Sequence, residues 1–85
     1  MWKIIYKRSV QKDLKNIPEK TRYLIKRTIE EKLMMDPIRF GTPLRRNLKG
    51  LMKRRVGDYR IIYSIEKKVV TIFVIKIGHR KEVYK

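Results

Sequence analysis

The sequence contains no cysteine, which excludes a disulfide framework, a thiol nucleophile and any thiolate metal cluster. It has a single histidine, His79, so no zinc site of the usual His/Cys kind can be assembled around it. Acidic residues are scarce: 8 Asp and Glu stand against 24 Lys and Arg, a formal net charge of +16. Those acids (Asp13, Glu19, Glu30, Glu31, Asp36, Asp58, Glu66 and Glu82) form no paired-carboxylate motif, which argues against a metal-dependent nuclease. No apolar run approaches the ~20 residues of a membrane-spanning helix. The apolar stretch in MWKIIYKRS is also too short for a signal peptide. Together these absences fit a reducing, cytoplasmic setting with no membrane.

What is present is a folding pattern. The 85 residues suit one domain spanning 1–85, and 42% hydrophobic content is enough for a modest core. Trp2 to Lys7 alternates large apolar and basic residues, as a strand does. Ser9 is placed to cap a helix through Ile17, with Val10, Leu14 and Ile17 on one side. Pro18 breaks that helix and starts a second one to about Met35, whose apolar stripe is Tyr23, Leu24, Ile25, Ile29, Leu33 and Met34. A connector containing Pro37, Gly41 and Pro43 separates the helical half from the strand half. Three strand signals follow, at about 50–56, 59–65 and 69–77, with Gly78 closing the last. The expected fold is α+β in the order β-α-α-β-β-β, a helical hairpin on one face of a mainly antiparallel sheet. Where the first strand joins that sheet is not determined.

The stretch RVGDYRIIY, residues 55–63, carries the chemistry. Gly57-Asp58 reads as a two-residue turn with glycine first, suited to type II′. Val56 then pairs with Tyr59 and Arg55 with Arg60. Side-chain alternation puts Lys53, Arg55 and Arg60 on one face and Ile61, Tyr63 and Ile65 on the other, toward the helices. Like charges directly opposite cost a sheet up to ~1 kcal/mol. A shared phosphate would turn that cost into binding, because guanidinium forks match its oxygens. The plainer alternative is a solvated basic face. Arg54 falls on the core side by the same alternation, so it either reaches out at the sheet end or marks a bulge. Between Pro37 and Arg60 there are eight basic residues (Arg39, Arg45, Arg46, Lys49, Lys53, Arg54, Arg55, Arg60) and one acid, Asp58. That asymmetry points to a groove for a polyanion backbone, with an acidic protein partner as the rival. The terminal stretch GHRKEVYK adds His79, Arg80, Lys81 and Tyr84. Beside a phosphate-binding sheet these suggest acid–base chemistry on a phosphodiester. His79 can equally be a plain turn residue, and Tyr84 an aromatic cover on the sheet edge.

LKGLMKRRVGDYRIIYSIEKKVVTIFVIKIGHRKEVY resembles the C-terminal sheet of the RelE/ParE toxins, specifically the RelE branch, and the element order extends the resemblance over nearly the whole chain. The resemblance implies the toxin of a type II toxin–antitoxin system. Such a toxin is a ribosome-dependent endoribonuclease, an mRNA interferase that needs no metal or other cofactor and cuts messenger RNA in the A site. It also implies a cognate RelB-like antitoxin. Matching the family's places, Lys53, Arg55, Arg60, Arg80 and Tyr84 are the implied catalytic residues. Arg45, Arg46, Lys49, Arg54, His79 and Lys81 are the candidate RNA-binding set. The strand match needs a one-residue gap; without it Leu51 takes a place where the family's best-known form has lysine. The implied reaction is attack of the 2′-hydroxyl on the adjacent phosphate, with Tyr84 or Lys53 as the base. A ParE-like toxin that inhibits DNA gyrase without catalysis is the alternative on the same fold.

Overall fold

The computed structural model describes residues 1–44 and 50–83. Strand β1 (Lys3–Tyr6) leads into α1 (Arg8–Lys15) and α2 (Glu19–Thr28), which continues as a π-helical turn, Ile29–Leu33. Then come β2 (Thr42–Pro43), β3 (Leu51–Val56), β4 (Tyr59–Glu66), β5 (Thr71–His79) and the short α3 (Arg80–Val83). The fold is α+β, with both longer helices packed on a mixed, mostly antiparallel sheet of five strands in the order β1-β5-β4-β3-β2. The unplaced first strand lies at the sheet edge, parallel to β5, with Lys3 beside Thr71 and Tyr6 beside Val74.

The chain passes from β1 to α1 with almost no loop. Lys7 still donates its N–H to Val74 O at 2.9 Å, while its own carbonyl accepts from Val10 N–H. Lys7 is therefore the boundary residue and makes no side-chain cap. Ser9, expected as the cap, lies inside the helix, because pairing of β1 with β5 fixes the chain direction two residues earlier. Pro18 does stand at the start of α2. The residue before a proline is pushed out of helical geometry, which separates the two helices.

The core is Val10, Ile17, Ile25, Ile29 and Leu33 from the helical half against Ile61, Tyr63, Ile72, Val74 and Ile77 from β4 and β5. Ile25, Ile29 and Leu33 recur every fourth residue and make a narrow stripe. Tyr23 and Leu24, expected within it, are 56% and 46% exposed. They stand ~200° and ~100° around the helix from Ile25, beyond the sheet's reach.

β5 departs from expectation at both ends. Gly78 does not close the strand but pairs with Arg60 inside it, and His79 pairs with Tyr59. The β4–β5 register shifts between Ile62 and Tyr63, where Ile62 faces Lys76 and Tyr63 faces Val74. Ile75 is thus the extra residue of a bulge. β1 accompanies β5 only as far as Val74. Past that point Asp13 of α1 takes over the uncovered edge, its Oδ2 accepting from Ile77 N–H at 3.1 Å.

The β4–β5 connection is a 3₁₀ turn, Lys67–Val69, followed by Val70 at φ 48°. A β-branched residue in left-handed geometry is strained. Val70→Gly should therefore raise stability by up to about 1 kcal/mol, several degrees in Tm, once glycine's extra unfolded-state entropy is deducted. Val70→Ala, which keeps a Cβ, should gain less. Thermal unfolding of the three proteins checks the order.

Candidate nucleic-acid interface

The turn at Gly57-Asp58 governs the site. Gly57 has φ 61°, the positive value that the first position of a type II′ turn requires. A loop of this length fixes the register: Val56 pairs with Tyr59, Arg55 with Arg60 and Lys53 with Ile62. Lys53, Arg55 and Arg60 consequently share the face of the sheet opposite the two longer helices. Opposed Cβ atoms in such pairs are ~5 Å apart and next-but-one residues on a strand ~7 Å. All three charged groups can therefore reach one phosphate. Arg55 Nε donates to Gly57 O at 3.0 Å and Arg60 Nη1 to Tyr59 O at 3.3 Å. Each guanidinium is held against its own hairpin with further donors to spare.

Arg80 opens α3 with its N–H bonded to Asp58 O at 2.9 Å, which puts it at the same end of the sheet as Arg55 and Arg60. Lys81 is exposed next to it. His79 does not join the cation face. It pairs with Tyr59, whose ring it meets edge-on at 5.6 Å, and its Nδ1 accepts from Lys81 N–H at 3.2 Å. Both are contacts of a structural histidine on the helix-bearing side. Arg45, Arg46, Lys49 and Tyr84 lie outside the described residues.

Two neighbours on the open face escaped sequence reasoning. Ile62 sits between Lys53 and Lys76 in one row across three strands. It is only 5% exposed although it lies outside the core cluster, so it forms an apolar floor beside the cations. Lys76 lies on the face by register, and its ammonium is 3.9 Å from Asp13 Oδ1. The face of Ile62 follows from its alternation with Arg60 along β4; that of Lys76 needs the pairing extended to β5, a step that requires the strand to run past Gly78.

Arg54 points to the other side, as alternation requires, and neither reaches bulk solvent freely nor marks a bulge. It is half-buried, Nη1 donates to Phe40 O at 3.4 Å, and its Nε is buried without a partner. Beside it, Tyr63 is fully buried and its hydroxyl donates to Pro37 O at 2.6 Å. A Cβ on Gly41 would fall on that hydroxyl, so glycine is what lets the connector close over Tyr63. The connector and β3 are thus fastened together behind the cation face. A cavity of about 480 Å³ opens at this edge, lined by Arg39, Thr42, Lys53, Arg54 and Arg55 among others. A second cavity of about 570 Å³ lies at the helices, lined by Tyr6, Val10, Leu14, Tyr23, Ile25 and neighbours; it is mainly apolar. Among the described residues no group of three His, Cys, Asp or Glu side chains is placed to hold a metal ion. Nor, among them, is any helix long and apolar enough to cross a membrane.

The family described as ParE toxin of type II toxin-antitoxin system, parDE, matches residues 4–84. The sequence is 30% identical over 77 residues to a protein of Mycobacterium tuberculosis named Toxin RelG, covering 91% of this chain and 88% of that protein. It is 35% identical over 74 residues to Toxin RelE of the same organism, covering 87% and 76% respectively. The fold matches a chain of the crystal structure of the toxin–antitoxin complex RelBE2, again from Mycobacterium tuberculosis, with TM-score 0.87 and 28% identity. That match covers 93% of this chain and 98% of the other.

Burial, the largest cause, and the carboxylate of Asp36 push the Tyr63 phenol up to about 12, against an opposing effect of Arg54. A raised phenol favours the protonated fold. Its contribution to stability is therefore complete below pH ~10 and is lost as pH climbs toward about 12. Tyr63→Phe removes that titration and leaves the Pro37 carbonyl unpaired. It should lower stability by about 1–3 kcal/mol near neutrality, and the gap from wild type should narrow between pH 9.5 and ~11.5. Paired denaturant melts across that range test the sign.

Proposed function

The chain belongs to the RelE/ParE family of type II toxin–antitoxin toxins, and from its RelE-like character we propose that it is a ribosome-dependent endoribonuclease. Its substrate is messenger RNA in the A site, and the consequence is arrested translation. The observation that carries this reading is the gathering of Lys53, Arg55 and Arg60 on the face opposite the two longer helices, with Arg80 at the same end of the sheet. A set of that kind matches the charge that builds on a phosphodiester as it breaks.

In the proposed reaction the RNA's 2′-oxygen bonds to the neighbouring phosphorus as its proton passes to a base. The bond from phosphorus to the 5′-oxygen breaks, and that oxygen takes up a proton. The products are a 2′,3′-cyclic phosphate and a 5′-hydroxyl. Arg60 and Arg80 stabilise the doubly charged transition state, and Arg55 orients the phosphate. Lys53 or Tyr84 serves as the base. Cationic side chains carry the charge work without a metal. Nothing on an open sheet forces a flexible RNA strand into the in-line geometry this displacement needs; the ribosome supplies that orientation. Cutting of free RNA is accordingly slow.

The proposed regulator is a RelB-like antitoxin. The RelBE2 chain of similar fold comes from a toxin–antitoxin complex. This chain exposes Ile5, Tyr6, Tyr23 and Leu24 on a +16 background, the kind of surface an acidic partner with apolar anchors would cover. A cytoplasmic site of action follows from a ribosomal target.

The matched family also contains ParE toxins, so gyrase inhibition is the rival. Primer extension on messenger RNA with purified ribosomes separates the two. Codon-phased breaks are expected with wild type, and Arg60→Ala should cut about 10²–10³ times more slowly with its fold intact. No breaks, together with blocked supercoiling, would establish the rival.

A further inference from the structure

Arg54 is the β3 cation that the open face does not use. Its alternation sends it behind the strand, where its Nε is buried without an acceptor and Nη1 has only a long bond to Phe40 O at 3.4 Å. A buried guanidinium N–H that lacks a partner marks a place where an acceptor is missing. The cavity of about 480 Å³ lies there. It sits where β2, only two residues long, stops covering β3: Thr42 pairs with Lys53 and Pro43 with Met52, and among the described residues no strand lies outside Arg54 and Arg55.

The lining is of one sign. Arg39, Lys53, Arg54 and Arg55 contribute to it, and among the described residues no carboxylate does. The nearby acid, Asp36, does not line it; its Oδ1 accepts from the backbone N–H of Arg39 at 3.0 Å. Lys53 and Arg55 belong by register to the open face, yet also line this cavity. The two places are therefore continuous around the outer edge of β3.

Building on the RNA-cutting reading above, we propose that this cavity seats a second phosphodiester of the messenger strand, beyond the linkage that is cut, between Arg54 and Arg39. Arg54 Nε is closed to solvent in the free protein, so the guanidinium turns toward the cavity as a phosphate oxygen enters and gives Nε its acceptor; guanidinium forks suit such an oxygen better than ammonium groups. The open-face cations hold one linkage and the edge cavity the next contact, so the strand is gripped on both sides of β3. An acidic peptide fits the cavity less well. It would need an apolar anchor, and the large apolar ring in the lining, Phe40, already carries Lys32 and Arg39 over its face at 5.1 and 5.5 Å.

The test uses the full chain and RNA oligomers of two and four nucleotides, made uncleavable by 2′-O-methylation. Wild type should bind the tetramer at least about tenfold more tightly than the dimer, because only the tetramer reaches the edge seat. Arg39→Ala, a change at an exposed side chain, should lose most of that gain and leave dimer binding unchanged. Arg54→Met, which keeps the apolar stem, should lose the gain as well. Each variant should also flatten the tetramer's log K against log salt slope by about 0.7, the single-strand value for one phosphate contact. A length gain and slope unaltered in Arg39→Ala, or a loss seen only with message-free ribosomes or with poly-glutamate, would overturn the proposal. Binding is read without cutting. Failure of the edge seat in a protein that still makes codon-phased breaks therefore counts against this inference alone, and a working seat in a protein that makes none counts against the nuclease reading alone.

Discussion

Everything about this surface follows from the register of one hairpin. A two-residue turn leaves β3 and β4 no freedom to slide, and a slip by one residue would send every side chain of the slipped strand to the opposite face. For a slip of β3 against β4, Lys53 and Arg55 would be driven toward the helices and Arg54 brought out, while Arg60 and Ile61 on β4 kept their faces. Under the proposed function, the positive φ at Gly57 is a functional constraint as much as a geometric one. With the register set, Arg55 stands directly across from Arg60. The protein accepts like-charge repulsion at the point where a polyanion would relieve it.

Such an arrangement needs support from behind, and the fold provides it at both edges of the hairpin region. On the β3 side, the Tyr63 hydroxyl and the Pro37 carbonyl tie the connector down, and Gly41 makes room for the contact. On the β5 side, Asp13 reaches from α1 to an edge N–H that β1 is too short to cover. Neither tie uses Arg55 or Arg60, although Asp13 also meets Lys76 of the open face at 3.9 Å. Arg55 and Arg60 therefore sit on a hairpin held by contacts that do not draw on their own charge. That is a sensible division for a small domain with few carboxylates to spend.

Much of this was legible in the residues, and the parts that were not share a cause. The Arg55–Arg60 pairing, the faces of Ile61 and Tyr63, the proline break between the helices and the α+β order all depend on local spacing, which a sequence displays. The end of β5 is not legible in the sequence, where Gly78 reads as a local stop. Here Gly78 is the partner of Arg60, a fact visible only from β4. The role of Ser9 was misjudged for a similar reason: pairing of β1 with β5, a contact between chain segments far apart, decides where α1 begins. His79 looked like part of a basic cluster by proximity in the chain, yet strand alternation turns it toward Tyr59. Arg54 was correctly assigned to the unexpected side of the sheet. Its buried Nε and the cavity beside it could not be anticipated, because Arg39, Phe40 and Gly41 are brought there by the connector's path alone.

The central claim is that Arg55 and Arg60 repel each other in the free protein and cooperate once a phosphodiester lies between them. A double-mutant cycle on these two residues, followed by thermal unfolding at low salt with and without an uncleavable RNA dinucleotide, reads that coupling. The repulsion is worth a few tenths to about 1 kcal/mol. Each single alanine variant should therefore melt as high as or slightly higher than wild type when alone, and should lose most of the ligand-induced rise in Tm when RNA is present. If instead both single variants melt lower without ligand and keep the full rise with it, the two arginines are structural surface residues and no shared phosphate site exists.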